Sequence, residues 1–249
     1  MANPRFYCNP ETSDKLALGA SIKLPENAAI HATRALRLNV GDQAILFNGD
    51  GQDYVSELTF VKKNEVVAKI TKLKSVNNES PIRILLAQAI SSGDRMDFTL
   101  QKAVEMGVTE IQPIASHRSV VKLSSERAEK RREHWQNVVN SACEQSGRAF
   151  VPKVAEPLSL SNWLATKPEA QTKITLSPTA EITLKSLPLP AGTICLLVGA
   201  EGGLTEDEIN LAASQGFTPV KLGKRILRTE TAPLAAIATM QTLWGDFCE

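Results

Sequence analysis

The sequence predicts two folded parts, a small β domain followed by an α/β domain that is built on a mostly parallel sheet. Three observations support this fold class: strand patterns joined by tight turns near the start, a polar stretch at residues 75–81, and alternating apolar strands and amphipathic helices after it. The chain has 249 residues, of which 43% are hydrophobic, which is enough to bury a core in each part.

The first predicted domain covers residues 1–74. A helix is predicted over residues 26–38, followed by strands at 44–47, 54–61 and 66–73. The first two strands are separated by Asn48-Gly49-Asp50-Gly51, and Asn-Gly and Asp-Gly pairs supply the positive φ angles of a tight hairpin. Consecutive hairpins of this length predict a small β-barrel. Many such domains bind RNA, although a fold alone does not assign that use.

The second predicted domain covers residues 82–249, after a linker at 75–81. Its first helix, over residues 94–106, places Met96, Leu100, Ala103 and Val104 on one face. Strands are predicted at 82–90, 110–115, 172–176, 193–198 and 218–222, and further helices at 126–146, 206–215 and 232–247. Alternation of this kind predicts a mostly parallel sheet that is covered by helices.

Composition excludes several functional classes. No apolar run approaches the roughly 20 residues of a membrane span, and the first residues lack the apolar core of a secretion signal. Four cysteines and three histidines are scattered without metal-ligand or disulfide spacing. We therefore expect a cytoplasmic protein with reduced thiols and no metal.

Positive charge is concentrated in one region, although the net charge is only +1. Residues 118–153 contain eight Lys/Arg and four Glu. A polyanion such as RNA would use this asymmetry, whereas the run at 126–133 alone is better explained as a solvated helix face.

Two late segments carry the clearest functional pattern. Each leaves an apolar strand, breaks into glycine and polar residues, and enters a helix: Gly199-Ala200-Glu201-Gly202-Gly203 in the first, and residues 222–232 in the second. Parallel strands deliver ligand-binding loops in this way, so the two loops predict one shared pocket. The spacing is neither GxGxxG nor GxxxxGK[ST], which disfavours a dinucleotide or P-loop site.

These segments resemble the bacterial ribosomal RNA small subunit methyltransferase E family of the SPOUT superfamily. The resemblance rests on residues 198–205 and 222–232, and extends to 4–7, 31–37, 101–108, Arg118 with 121–122, and 142–148. One departure is Ala200, where many relatives have proline. The resemblance implies a C-terminal trefoil knot, a PUA-like first domain that binds RNA, and a homodimer. It also implies methylation of N3 of one uridine in 16S rRNA, within the small ribosomal subunit, by S-adenosylmethionine.

The resemblance also implies site residues. The cofactor would be held by Leu176, Pro178, Gly199, Glu201, Gly202, Gly203, Leu222, Gly223, Ile226, Leu227, Thr229 and Ala232. Core burial is the alternative for Leu222 and Leu227. RNA contacts are expected from Arg5, Arg34, Arg37, Arg118, Lys122 and Arg148, with ordinary solvated charge as the alternative for each.

Two residues are candidates for catalysis, because the N3 proton of uracil must be removed or the developing anion stabilised. Arg228 would stabilise negative charge on a uracil carbonyl, and Glu201 would orient the base or relay its proton. The structural alternatives are that Arg228 pairs with Glu230 and that Glu201 orders its own loop. Two other functions stay open: methylation of another RNA such as tRNA, and non-catalytic RNA binding or ribosome assembly.

Overall fold

The computed structural model describes residues 3–119 and 125–248, and contacts divide the chain into two units. Unit 1 comprises Met1–Glu79 and Asn140–Val151, and unit 2 comprises Ser80–Val139 and Pro152–Glu249. The sequence placed residues 140–151 in the second domain. They belong to unit 1 because Glu144 Oε1 accepts a 2.9 Å hydrogen bond from Tyr7 N and Arg148 pairs with Glu79. Independent folding of 1–74 and 82–249 stays a prediction.

Unit 1 contains one five-stranded sheet. Its elements are β1 (Arg5–Tyr7), β2 (Ser21–Lys23), α1 (Glu26–Ile30), β3 (Gln43–Phe47), β4 (Gln52–Lys62) and β5 (Glu65–Ser75). The strand order is β1-β3-β4-β5-β2, and the β3–β4 and β4–β5 hairpins are antiparallel, as predicted. The turn before β4 has positive φ at Gly49 (95°) and Gly51 (84°), which confirms the expected turn chemistry.

The predicted helix over 26–38 differs from the observed one in its second half. It is α-helical only through Ile30, and residues His31–Ala35 form a π-helical turn in which Leu36 N donates to His31 O. Arg37 then adopts φ 55°, and Leu38 N donates back to Ala32 O at 2.9 Å. This left-handed residue ends the helix before Leu38.

Unit 2 contains the parallel sheet. Its strands are β6 (Ile84–Ala89), β7 (Glu110–Ala115), β8 (Lys153–Val154), β9 (Leu158–Ser159), β10 (Thr172–Leu176), β11 (Ile194–Val198) and β12 (Thr218–Val220). Its helices are α2 (Asp94–Glu105), α3 (Ser125–Ser146), α4 (Leu160–Ala165), α5 (Glu206–Ser214) and α6 (Thr231–Trp244), with the last turns of α3 belonging to unit 1.

The sheet has the order β12-β10-β11-β6-β7-β8, with β9 also paired to β7, and each of these pairings is parallel. Every residue of the central strand β11 is buried, as is typical of a parallel strand covered on both faces. The predicted inner face of α2 is also confirmed, since Met96, Leu100, Ala103 and Val104 are fully buried. The α/β prediction is therefore confirmed.

Several short elements were not predicted, namely β1, β2, β8, β9 and α4. Each has two to six residues, too few to establish a hydrophobic period. Among the described residues, no helix combines the length and apolar character that crossing a membrane requires.

Candidate active site

The glycine-rich loops lie at the carboxyl edge of the parallel sheet. Strands β6, β7, β10, β11 and β12 all run in the same direction, so the segments that follow them emerge at one edge. This is where open α/β sheets bind their ligands. Hydrogen bonds among these segments show which side chains the fold brings together.

The first loop is a tight turn that requires glycine at Gly199. A Cβ there would lie 2.7 Å from the carbonyl carbon of Gly203 and 2.7 Å from the nitrogen of Leu204. Gly203 has φ 68° and donates from its nitrogen to Ala200 O at 2.8 Å. After the turn, Thr205 and Glu208 form a reciprocal capping box that starts α5. The turn is thus fixed on both sides.

Thr229 joins the second loop to the first. It is buried, and its Oγ1 donates to Gly199 O at 2.9 Å while accepting from Gln88 Nε2 at 3.3 Å. Gln88 lies near the end of β6 and is fully buried, with an Oε1 that has no hydrogen-bond partner among the described residues. The predicted shared pocket therefore has a direct link between its two loops.

Glu201 is held by the segment after β6. Its Oε1 accepts from Ser92 N (2.9 Å), Ser92 Oγ (2.9 Å) and Arg95 Nη1 (3.2 Å). Burial alone raises the pKa of Glu201, but the hydrogen bonds from Ser92, from its own backbone and from Arg95 outweigh it, so the net pKa is lowered. A carboxylate with a lowered pKa is a weaker proton acceptor. These contacts favour the role in ordering the loop over proton relay.

Arg228 and Glu230 do not form the pair that the sequence left open. The Arg228 side chain is exposed and makes no ion pair with the described residues, whereas its carbonyl accepts from Thr231 N and Ala232 N at 2.9 Å each. Glu230 instead lies beside Arg95, with Oε1 4.0 Å from Arg95 Nε. The guanidinium of Arg228 is thus available to a ligand.

The remaining predicted cofactor residues are half-buried or exposed in unit 2. Half-buried positions are Leu176, Leu222, Leu227 and Ala232, and exposed positions are Pro178, Glu201, Gly202, Gly223 and Ile226, the last 86% exposed. Neither Leu222 nor Leu227 is fully buried, so the alternative that they are core residues is not supported.

Arg118, predicted as an RNA contact, contacts the glycine loop at residues 199–203. Its Nη1 donates to Gly202 O at 2.7 Å, and its nearest side-chain carbons lie 3.1 Å from the position that a Cβ at Gly202 would take, which is a tight contact. Lys122 lies outside the described residues.

Two predicted RNA contacts in unit 1 require correction. Arg5 Nη1 is 2.8 Å from Asp53 Oδ1, and the two side chains are only 9% and 8% exposed. The Arg148 side chain is 5% exposed and donates to Glu79. Buried guanidinium groups must be paired, so these two serve the interior of unit 1 rather than a phosphate surface.

Arg34 and Arg37 fit the predicted RNA surface. Both are exposed, flank the end of the π-helical turn, and make no ion pair with the described residues. RNA binding by these two residues stays a prediction.

The sequence did not identify Gln88, Ser92 and Arg95, and it considered Glu230 only as a partner for Arg228. A usable pattern was present, because Ser91-Ser92-Gly93-Asp94-Arg95 also follows an apolar strand and opens a helix. The partnership of Arg95 with Glu201 spans 106 residues, however, and no local pattern predicts such a pair.

A separate cavity of about 560 Å³ lies near the amino ends of the strands. Its lining includes Arg83, Glu110 and Thr193, which start or precede β6, β7 and β11. It contains neither glycine loop nor any predicted site residue, so the carboxyl edge remains the candidate active site.

Both units contain a range that matches a known family. Residues 78–241 match the model of an RNA methyltransferase domain, and residues 24–71 match that of an RNA methyltransferase PUA domain. The first range covers most of unit 2 and the second lies within unit 1.

Curated relatives and solved structures are similar along nearly the whole chain. A ribosomal RNA small subunit methyltransferase E from Buchnera aphidicola subsp. Schizaphis graminum is 36% identical, over 93% of this chain and 94% of its own. The protein of that name from Neisseria gonorrhoeae, crystallised with S-adenosyl methionine, is 47% identical with a TM-score of 0.90, and the match covers 99% of this chain and 100% of that one. A putative methyltransferase from Legionella pneumophila in complex with SAM is 35% identical with a TM-score of 0.94, and the match covers 99% of this chain and 100% of that one. The chain belongs to the ribosomal RNA small subunit methyltransferase E family.

Proposed function

We propose that this protein methylates N3 of one uridine in 16S rRNA of the small ribosomal subunit, with S-adenosylmethionine as methyl donor. One observation carries the proposal: two glycine-rich loops, joined by the Thr229–Gly199 hydrogen bond, lie at the ligand-binding edge of a parallel sheet. Two solved relatives with this fold were crystallised with the same methyl donor, which supports its use here.

The residues present fit S-adenosylmethionine. A Cβ at Gly199 would fill the turn that has to approach the ligand, and half-buried leucines at 176, 222 and 227 supply apolar walls. The buried oxygens Gln88 Oε1 and Glu230 Oε2 lack partners among the described residues. Apolar walls with a few fixed polar groups are typical of cofactor sites.

When bound, S-adenosylmethionine supplies an electrophilic methyl group on a sulfonium. The protein has to hold the uracil in line with that methyl group and favour its anionic form. Arg228 is exposed and forms no ion pair with a described residue, so its guanidinium would donate to a uracil carbonyl as negative charge develops. Glu201 would keep its loop in place through Ser92 and Arg95.

The proposal includes RNA binding by unit 1. Arg34 and Arg37 would contact phosphates, so affinity for RNA should fall steeply with salt concentration. Charge reversal at either residue is expected to weaken binding and reduce the salt slope. Unchanged affinity and slope in both variants would refute this placement.

The finer features of the architecture are also part of the proposal: a trefoil knot, a closed barrel in unit 1, a homodimer and a cytoplasmic location. For the knot, support comes from β12 pairing beyond β10 and from the bridge between Thr183 and Lys221. For the dimer, Phe98, Leu243 and Phe247 offer apolar surface, being 47, 41 and 51% exposed. Stretching the chain from its ends would detect a knot as missing contour length, and sedimentation would detect a dimer.

The decisive test incubates the protein with labelled S-adenosylmethionine and small subunits that lack the methyl group. Reverse transcription should stop at one uridine, because N3 methylation removes a base-pairing donor, and nucleoside digestion should yield 3-methyluridine. Label in tRNA or at a ribose would establish the first alternative function. Cofactor binding without transfer to any RNA would support the second.

A further inference from the structure

The Glu230 carboxylate has an unusual environment. Oε2 is buried, and the described residues donate no hydrogen bond to it. Oε1 is 4.0 Å from Arg95 Nε, a distance that allows charge attraction but exceeds a hydrogen bond. A desolvated carboxylate oxygen without a donor is costly, and an exception of this kind calls for a functional explanation.

The position of Glu230 connects this carboxylate to the active site. It follows Thr229, whose hydroxyl donates to Gly199, and precedes the first residue of α6. Arg95, which faces it, also donates to Glu201 at 3.2 Å. The Glu230 side chain is 19% exposed. Its last torsion is soft, as in any glutamate, so the two carboxylate oxygens can exchange places and either one can become the exposed oxygen.

Glu201, the other carboxylate of the site, is already occupied. Its Oε1 accepts three hydrogen bonds, from the backbone and hydroxyl of Ser92 and from Arg95. These donors stabilise the charged form of the Glu201 carboxylate and lower its pKa, which makes it a weaker proton acceptor. Glu230 receives no such hydrogen bonds from the residues that the structure describes.

We propose that Glu230 is the residue that accepts the N3 proton of the target uridine, an assignment that rests on the proposed function. The uracil N3–H donates to the Glu230 carboxylate on binding. As methyl transfer proceeds, the N3–H bond breaks and its electron pair forms the new bond to the methyl carbon. The electron pair of the carbon–sulfur bond goes to sulfur, and the proton goes to Glu230. Arg95 is the positioning residue that holds both carboxylates.

The kinetic test uses Glu230→Gln, which keeps the size of the side chain and removes its basicity. Single-turnover methylation should slow by about 100-fold or more, the range of a lost general base. Affinity for S-adenosylmethionine, measured by calorimetry, should stay within about twofold, which also shows that the variant is folded. Glu230→Asp keeps a carboxylate, so its methylation rate should fall less than that of Glu230→Gln. The matched control is Glu181→Gln, an exposed residue between β10 and β11 that should behave as wild type.

A binding test needs no methyl transfer. Small subunits are reconstituted with 16S rRNA transcribed with 5-fluorouridine, whose fluorine lowers the pKa of N3, and S-adenosylhomocysteine is present. As pH rises and N3 ionises, its lone pair faces the Glu230 carboxylate, and like charges in contact cost several-fold in affinity or more. Wild type and Glu181→Gln should lose at least about tenfold, whereas Glu230→Gln should not lose affinity over the same range.

The outcomes separate this assignment from the function on which it rests. If wild type forms 3-methyluridine and Glu230→Gln reacts within about tenfold of it, the assignment is overturned and the function stands. Equal losses in the Gln and Asp variants, or identical pH dependence of binding in wild type and Glu230→Gln, also overturn it. If wild type forms no 3-methyluridine, the proposed function fails and the assignment fails with it.

Discussion

Replacing Gly199 by alanine tests whether the first glycine turn shapes the cofactor site. The new Cβ would lie 2.7 Å from two backbone atoms of Gly203 and Leu204, about 0.7 Å inside the 3.4 Å at which ordinary van der Waals contact begins. Because both atoms belong to the backbone, no side chain can rotate to relieve the contact. The turn has to open.

Opening the turn has two costs. Overpacking of this kind costs about 1–3 kcal/mol. The 2.9 Å hydrogen bond from Thr229 to Gly199 O would also weaken, and such a bond contributes about 1 kcal/mol. If about 2 kcal/mol of this total is lost from the free energy of cofactor binding, the Kd for S-adenosylmethionine rises by about 30-fold.

Calorimetric titration with S-adenosylmethionine measures that change, and urea unfolding measures stability in parallel. The matched control is Gly216→Ala, which follows α5, has φ 86° and has no atom within 4 Å of the new Cβ. It should cost about 1 kcal/mol of backbone strain without weakening the cofactor. The reasoning is refuted if Gly199→Ala binds within about threefold of wild type, or if Gly216→Ala loses as much affinity.

Four further outcomes are expected. Thr229→Val should lower stability by about 1–3 kcal/mol in urea unfolding, because the buried Gln88 and the Gly199 carbonyl lose their hydrogen bonds to its hydroxyl. Thr229→Ser should restore most of that stability. Arg5→Ala should cost about 3–5 kcal/mol, since Asp53 is left buried and unpaired, and unchanged stability would contradict the burial. Arg37→Gly should raise the thermal midpoint, because glycine is relaxed at φ 55°, while weakening RNA binding in a filter assay. Burial raises the pKa of the Cys8, Cys143 and Cys195 thiols to about 12, whereas Cys248 is exposed. At pH 8 a thiol reagent should therefore modify only Cys248 until the protein unfolds.

The sequence was most informative where structure depends on near neighbours. The face of α2 follows from the helical period of Met96, Leu100 and Ala103, all of which are buried. The turn at Gly49 and Gly51 follows from the backbone freedom of glycine, and positive φ was found at both. In each case the deciding interactions lie within a few residues along the chain.

Prediction was weakest for charged residues, because charge alone does not say what a side chain faces. Arg5 and Arg148 looked like Arg34 in the sequence, yet the first two are buried in ion pairs while Arg34 is exposed. Arg118, whose predicted RNA contact stays a prediction, also donates to a backbone carbonyl of the glycine loop. Burial separates these cases, and burial depends on the whole fold.

The sequence by itself determined the alternation of strands and helices, the two glycine-rich loops and the family to which they point, because period, turn residues and motif spacing are local properties of the chain. Only the tertiary structure decided which side chains meet at those loops. Ser92 reaches Glu201 across 109 residues and Gln88 reaches Thr229 across 141, through a sheet order that places β11 beside β6. Those long-range contacts occupy one carboxylate of the site, Glu201, whereas Glu230 Oε2 receives no hydrogen bond from any part of the chain that the structure describes.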